Sequence, residues 1–424
     1  MTSAAGPAAP EETRSGWNWQ SLLLAPHRLG FFLAMVVLAA SGGWWAAVQL
    51  DRAAGGQFLA YAMSPSLTHA AVMVFGFLPL FFSGFLFTAG PRWLGVRQPT
   101  AREILAPDLL MASGWLLWLV AGHVHAVLAL AALLLSLAGL VAVTLRFWHL
   151  LLASRAPDRV HAKAIGAGLL AGCASLGALA LAVLLDAPGA ARACVLTGLW
   201  SFIVVVYASV THRMIPFFTS SVLPMAVWRP FWVLQLMLGV ALFEAVAVWP
   251  ESFATPGTAW LVLRGAIELA AAGLLIWLVF AWGLVQSLKV RLLGMLHVGF
   301  LWLGLGLGLS GLSQLIGAAT GTPALPLGAL HAVTIGCLGS LMLAMVTRVS
   351  CGHSGRPLVA DNLVWALFWL LQAAAILRIA AAVPGWPGQA LLAAAALLWA
   401  GLMLVWGCRY GSWYGRARAD GSPG

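Results

Sequence analysis

AVLALAALLLSLAGLVAVTL, residues 126–145, contains no charged side chain and is followed at once by Arg146. A bilayer core of ~30 Å is crossed by ~20 apolar residues in a helix, so this stretch has the length and composition of one transmembrane helix. Comparable runs fill the chain on both sides of it, from Phe31 to Trp406. Pro, Gly and Arg punctuate them into spans near 29–50, 67–90, 105–121, 125–145, 164–185, 193–211, 231–249, 260–286, 292–316, 325–347, 363–383 and 389–407. The expected fold class is therefore all-α, a polytopic integral membrane helix bundle of about twelve transmembrane helices.

Positive charge tests that count independently of hydropathy. Even-numbered spans are followed by Arg92, Arg97 and Arg102, by Arg146, Arg155, Arg159 and Lys163, by Arg213 and Arg229, by Lys289 and Arg291, by Arg348 and Arg356, and by Arg409, Arg416 and Arg418. Odd-numbered connections carry almost none. With Arg14 and Arg28 ahead of the first span, 18 of the 22 Lys and Arg fall on one side. Arginine and lysine collect in cytoplasmic loops, so that side is expected to be the cytoplasm and both termini are expected there. An error of one span would scramble the alternation. The domain organisation follows: a polar cytoplasmic tail over 1–26, one twelve-span membrane domain over 27–410, and a basic cytoplasmic tail over 411–424.

Composition excludes other classes. Hydrophobic residues make up 62% of the 424 positions and charged ones 8%, with a mean hydropathy of +0.96, which rules out an ordinary soluble globule. The net charge of +10 is topogenic arginine flanking the spans, and no nucleic-acid partner is expected. The first 26 residues lack the charged start, apolar run and cleavage site of a signal peptide, and Trp17 and Trp19 read as interfacial. Cys173, Cys194, Cys337, Cys351 and Cys408 form no CxxC or other metal spacing and read as small buried hydrophobes. Gly304, Gly308 and Gly311 in the ninth span stand at helical spacing, as helix-packing contacts do. Thr88 to Arg92, Thr211-His212-Arg213 and Thr347-Arg348 close the second, sixth and tenth spans. They suggest a four-helix repeat, or simply the arginine that inner span ends collect.

Ionisable groups within hydrocarbon are costly, and each is a functional candidate. On the outer half lie His69, at the start of the second span, and His331, early in the tenth. Gly76 follows the first, and Gly336 and Gly339 follow the second, clearing room for a flat group. Two histidines at one depth are what axial ligation of a haem iron requires. A helix–helix hydrogen bond is the other reading of each. Met73, one turn below His69, reads as core. The cytoplasmic side gathers His212, Arg213, His297, Arg348, Cys351, His353 and Arg356. Imidazole and thiolate suit copper or zinc, and arginine suits a haem propionate or another anion, with topogenic anchoring the alternative for the arginines. Arg264 and Glu268, at i,i+4 in the eighth span, with Glu244 in the seventh, read as mutual neutralisation or as a proton or substrate path. His123, His125, His149 and His161 fall in loops or at span ends and read as solvated or interfacial. No nucleophilic triad, phosphate loop or HExxH motif is present.

HAVTIG, residues 331–336, leading into MVTRVSCGHSGRPL, residues 345–358, closely resembles the signature of the NnrS family of bacterial membrane proteins. HRMIPFFT, residues 212–219, resembles that family's RxIPFFT segment. Phe75-Gly-Phe77 through Thr88 and Pro91, and Pro26-His27-Arg28 with Phe31-Phe32, resemble two more. Together they cover most of the chain in the right order. The resemblance implies a twelve-span inner-membrane protein that contains haem and copper and is associated with the response to nitric oxide and nitrosative stress. It implies no defined reaction. One departure bears on copper: where family members often read WHAHE, this chain has THAAV, residues 68–72, keeping only His69.

The expected function is a haem-binding protein of the bacterial inner membrane, in contact with lipid. It would act in nitric oxide tolerance by binding NO or by passing electrons from a donor. His69 and His331 are the expected haem ligands, Arg213 and Arg348 further cofactor contacts, and His212, His297 and His353 further metal ligands. Secondary transport of a small anion or metal complex, along Arg264, Glu268 and Glu244 with Pro79 breaking the second span, is the alternative.

Overall fold

A computed structural model describes residues 16–56, 58–224, 228–322 and 324–421. Residues 1–15 and 422–424 of the expected tails lie outside the described residues. Twelve helices are long and apolar enough to cross a membrane: α1 (Pro26–Ala53), α2 (Pro65–Leu94), α3 (Ala101–Val124), α4 (Ala126–Ala153), α5 (Val160–Leu184), α6 (Pro188–Val222), α7 (Phe231–Phe253), α8 (Thr258–Ala281), α9 (Arg291–Thr320), α10 (Leu327–His353), α11 (Asn362–Ala380) and α12 (Gly388–Tyr414). No strand occurs among the described residues. The chain is thus an all-helical membrane bundle in contact with lipid, as only helices and closed barrels satisfy every backbone group in hydrocarbon.

The ends of the helices follow local chemistry. Pro26, Pro65 and Pro188 open α1, α2 and α6, where a missing N–H costs nothing. Thr100 and Glu103 form a capping box at the start of α3, and Asp361 accepts from the amide of Val364 at 3.1 Å to cap α11. A single residue, His125, joins α3 to α4, and its Nδ1 caps α4 by accepting from the amide of Val127 at 3.1 Å.

Packing closes the bundle. α1 lies against α2, α3 and α12, and the pairs α3–α4, α8–α9 and α11–α12 are extensive hairpins. Between α8 and α9 the backbones touch: a Cβ on Gly311 would stand 2.8 Å from the carbonyl oxygen of Gly265. The glycine row of the ninth span is therefore a packing face, and its partner is α8. The start of α1 and the end of α12 share one end of the bundle. There Arg28 donates to the carbonyls of Tyr414 and Arg416 at 3.2 and 2.8 Å. The segment after α12 folds back under α10, where Arg418 donates to the carbonyl of His353 at 3.2 Å.

The spans that echo one another in sequence, α2, α6 and α10, are the ones with irregular backbone. α2 breaks at Gly76 (ψ −81°), one turn before Pro79, whose ring cannot sit against the carbonyl four residues back. α6 and α10 each carry a π-helical stretch, Leu199–Val204 and Ala332–Gly339. The three helices meet around an apolar cavity of about 60 Å³ lined by Phe82 of α2, Tyr207 and Val210 of α6, and Met342 and Met345 of α10. Helix α6 also runs past the expected end at 211. Arg213 lies over the Trp93 ring, 5.1 Å from its centroid, so the charge that ended the apolar run does not end the helix.

Candidate functional site

His69 and His331 each stand about one turn inside the start of their helices, α2 and α10, at the end of the bundle opposite the arginines. His331 and Arg378 of α11 lie in the neighbourhood of His69, and Arg378 also lies in that of His331. Each sits among neighbouring helices and is half-buried. The Nδ1–H of His331 donates to the carbonyl of Leu327 at 2.7 Å, which leaves Nε2 with its lone pair. The His69 ring stacks on Trp45, centroids 3.9 Å apart and planes at 14°, and its Nδ1 is buried without a partner. Trp45 also carries the guanidinium of Arg52, 5.4 Å from its ring centroid.

Arg378 is the residue here that hydropathy hides. It is buried near the end of α11 and, among the described residues, makes no hydrogen bond or ion pair. A guanidinium held beside two imidazoles with no carboxylate is a site for an anionic group, and bidentate recognition of a carboxylate is what it does best.

The glycines beside the histidines are not open space. A Cβ on Gly336 would stand 2.5 Å from the Trp302 ring and one on Gly339 would stand 3.2 Å from that of Trp399, so the flat groups on those faces are indoles. Trp302 is fixed by donating to the side-chain carbonyl of Gln372 at 2.7 Å, and Gln372 donates to Ser340 at 2.9 Å. Gly76 serves the break in α2.

The inner group expected from sequence is divided into separate contacts. His212 pairs with His161 of α5, whose Nε2 lies 3.0 Å from its Nδ1. His297 pairs with the Thr219 hydroxyl at 3.0 Å. His353 lies against His27, ring centroids 4.4 Å apart. Arg348 caps the Phe218 ring at 3.9 Å and Arg213 caps Trp93. Among the described residues no three His, Cys, Asp or Glu side chains gather as metal ligands. Arg348 also stands 17 residues beyond His331 on the same helix, ~25 Å along its axis, too far for one cofactor to join them.

His161 is not solvated, and His123, at the end of α3, is tied down on both ring nitrogens. His161 is buried, and His123 accepts from Trp44 Nε1 at 2.7 Å while its Nδ1–H donates to the carbonyl of Ala60 at 2.7 Å. Asp108, inside α3, is a carboxyl within an apolar run and is not among the residues singled out from sequence. It is fully buried beside Ser83, with both oxygens lacking a hydrogen-bond donor.

The third group is tightly bound. Arg264 donates to Glu268 at 2.9 Å, to Glu244 at 2.6 Å and to Glu251, so each of its three nitrogens is taken.

Against models of known families, the model described as NnrS protein matches residues 21–418. No curated protein matches the chain.

Proposed function

The chain belongs to the NnrS protein family, and from that premise we propose that it is a haem-binding protein of the bacterial inner membrane, acting in the response to nitric oxide. His69 and His331 hold the haem. The observation that carries this reading is the placement of these two histidines, each one turn into α2 and α10, at the same end of the bundle and in the neighbourhood of Arg378, a buried cation with no counter-ion among the described residues. The residues fit the group: two imidazole nitrogens for the iron, and a guanidinium for a propionate. Arg378 replaces Arg213 and Arg348 in that role, because those two lie at the other end of the spans with their charges over aromatic rings. The arginine-rich end is the cytoplasmic one.

Haem bound there would supply a one-electron centre. The protein's share is to orient and shield. Leu327 fixes the His331 ring and its tautomer, Trp45 holds the plane of the His69 ring, and Arg378 supplies positive charge. Held by two imidazoles, the group would suit passing electrons from a donor better than storing NO. The apolar cavity between α2, α6 and α10 suits a small apolar gas, since such cavities stay dry. Copper is not part of the proposal, because no group of three ligands gathers among the described residues. Nor is anion transport along α7 and α8, because three glutamates already surround Arg264 and would repel an anion.

The test is an optical spectrum of the purified protein with pyridine extraction of any haem. A Soret band of bis-imidazole type is expected, lost in His331→Ala and reduced in His69→Ala, whose Nδ1 has no tether. A protein without haem, or a band unchanged in both variants, removes the assignment.

A further inference from the structure

At the end of the bundle that holds the histidine pair, α7 and α8 bring three glutamates to one arginine. Glu244 and Glu251 come from α7, and Arg264 and Glu268 from α8. Glu244 and Glu268 are 2% and 1% exposed, whereas the Glu251 side chain keeps 21% of its surface. The group thus runs from the rim inward. Glu251 accepts from Trp260 Nε1 at 2.7 Å near the surface, and Glu268, ten residues into α8, is held on the inner side of the same Arg264 guanidinium.

The hydrogen bonds leave a deficit. Arg264 supplies one donor to each glutamate, and Ser310 of α9 gives Glu268 Oε1 a second at 3.0 Å. Glu244 Oε1 and Glu268 Oε2 remain buried with no donor, yet the two carboxyl groups face each other within hydrogen-bonding reach. A carboxylate only accepts, and two carboxylates in contact in a low-dielectric interior do not both stay ionised. Three carboxylates against one guanidinium would also leave two net negative charges inside hydrocarbon. No other charged group relieves this. Among the described residues α9 offers only Ser310 here, and Arg192, on the neighbouring α6, pairs with neither glutamate.

We propose that Glu244 and Glu268 form a proton-binding pair that shares one proton and exchanges it with the end of the bundle opposite the arginines, through Glu251. The shared proton sits between Glu268 Oε2 and Glu244 Oε1. It supplies the missing donor and lowers the net charge by one. Arg264 holds both carboxyls in register, and Glu251 lies at the edge, where an incoming proton first meets the protein. The two neighbours differ only in their access to water, and that difference gives the path its direction. No electron transfer is involved, and the site stands whether or not the histidine pair holds haem.

Infrared spectroscopy of the purified full chain in H₂O and D₂O tests this. A carboxylic-acid C=O band that shifts in D₂O is expected in the unsubstituted protein. E244Q and E268Q should each remove one carboxyl's intensity, and E251Q should remove none. D108N separates the contribution of the other fully buried carboxyl and should leave the band of the pair in place. The unsubstituted protein already decides the claim without any variant: absence of a D₂O-sensitive acid band overturns it. So does a band that survives both E244Q and E268Q when each is combined with D108N. Loss of the band when sodium chloride replaces choline chloride would make the occupant a metal cation and overturn it as well.

Discussion

His161 Nε2 and His212 Nδ1 lie 3.0 Å apart, joining α5 to α6 near the arginine-rich end. His212 Nε2 lies 3.1 Å from the carbonyl of Pro230, which only accepts, so that nitrogen carries the proton. His212 Nδ1 is then the acceptor, His161 Nε2–H the donor, and His161 Nδ1 a buried lone pair without a partner. His161→Ala strands His212 Nδ1 and should cost ~1–3 kcal/mol of stability, and His212→Ala, which breaks both bonds, should cost more. Equilibrium unfolding in mixed detergent measures both. Nitrogen NMR of labelled histidine reads the tautomers directly, and an Nδ1–H form of His212 would contradict the assignment.

Arg378 should behave as a ligand contact and not as a topogenic charge. Arg378→Gln is expected to keep the protein in the membrane, since it removes an unpaired buried charge whose desolvation is costly. The bound haem should be retained less firmly while its bis-imidazole spectrum stays in place, and its midpoint potential should fall as a positive charge leaves. Haem loss to apomyoglobin and a redox titration measure these effects. Unaltered retention and potential would place the propionates elsewhere.

Why the sequence showed His69 and His331 but not Arg378 or His161 is a matter of what hydropathy records. Apolar runs give the number of spans and alternating arginine an expected direction, because those depend on residues counted along the chain. They do not give which helix faces which. His161 falls two residues into α5 and resembles any interfacial histidine until α6 is laid against it. Arg378 resembles an outer flanking charge until α11 is seen beside α10. Cytoplasmic position alone suggested a cluster of His212, His297 and His353, yet helices at one end of a bundle are still separated laterally. Each of these rings found its own neighbour instead. The glycine faces were readable as room for a flat group, but not that the group is Trp302 or Trp399.

Acid should loosen the link between α11 and α12. Burial tends to raise Asp361, but the amide of Val364 and the guanidinium of Arg409 outweigh it, and the carboxyl ends below its ordinary value. A depressed value in the folded state gives stability that is full above the unfolded carboxyl's ~3.9 and fades as pH falls through the folded value. The pair is about half exposed, so screening keeps its worth within ~1 kcal/mol. Asp361→Asn retains a helix cap and loses the ion pair, and should flatten the stability curve below about pH 4. Unfolding followed across acid pH checks it, and an unchanged slope would show that Arg409 contributes nothing there.

The contact of α8 with α9 predicts opposite outcomes for two glycines that sequence alone does not distinguish. A methyl on Gly311 would meet the backbone oxygen of Gly265 and Leu269 Cγ, both at 2.8 Å, and backbone cannot turn aside as a side chain can. Gly239 of α7 has nothing within 4 Å of the same added carbon. Gly311→Ala should therefore push the helices apart and cost ~1–3 kcal/mol, the usual range for overpacking. Gly239→Ala should be neutral or stabilising by up to about 1 kcal/mol, through the lower conformational entropy of the alanine chain when unfolded. Thermal unfolding in detergent compares them in one experiment. Equal effects would mean that α8 and α9 do not approach as closely as Gly265 and Gly311 place them.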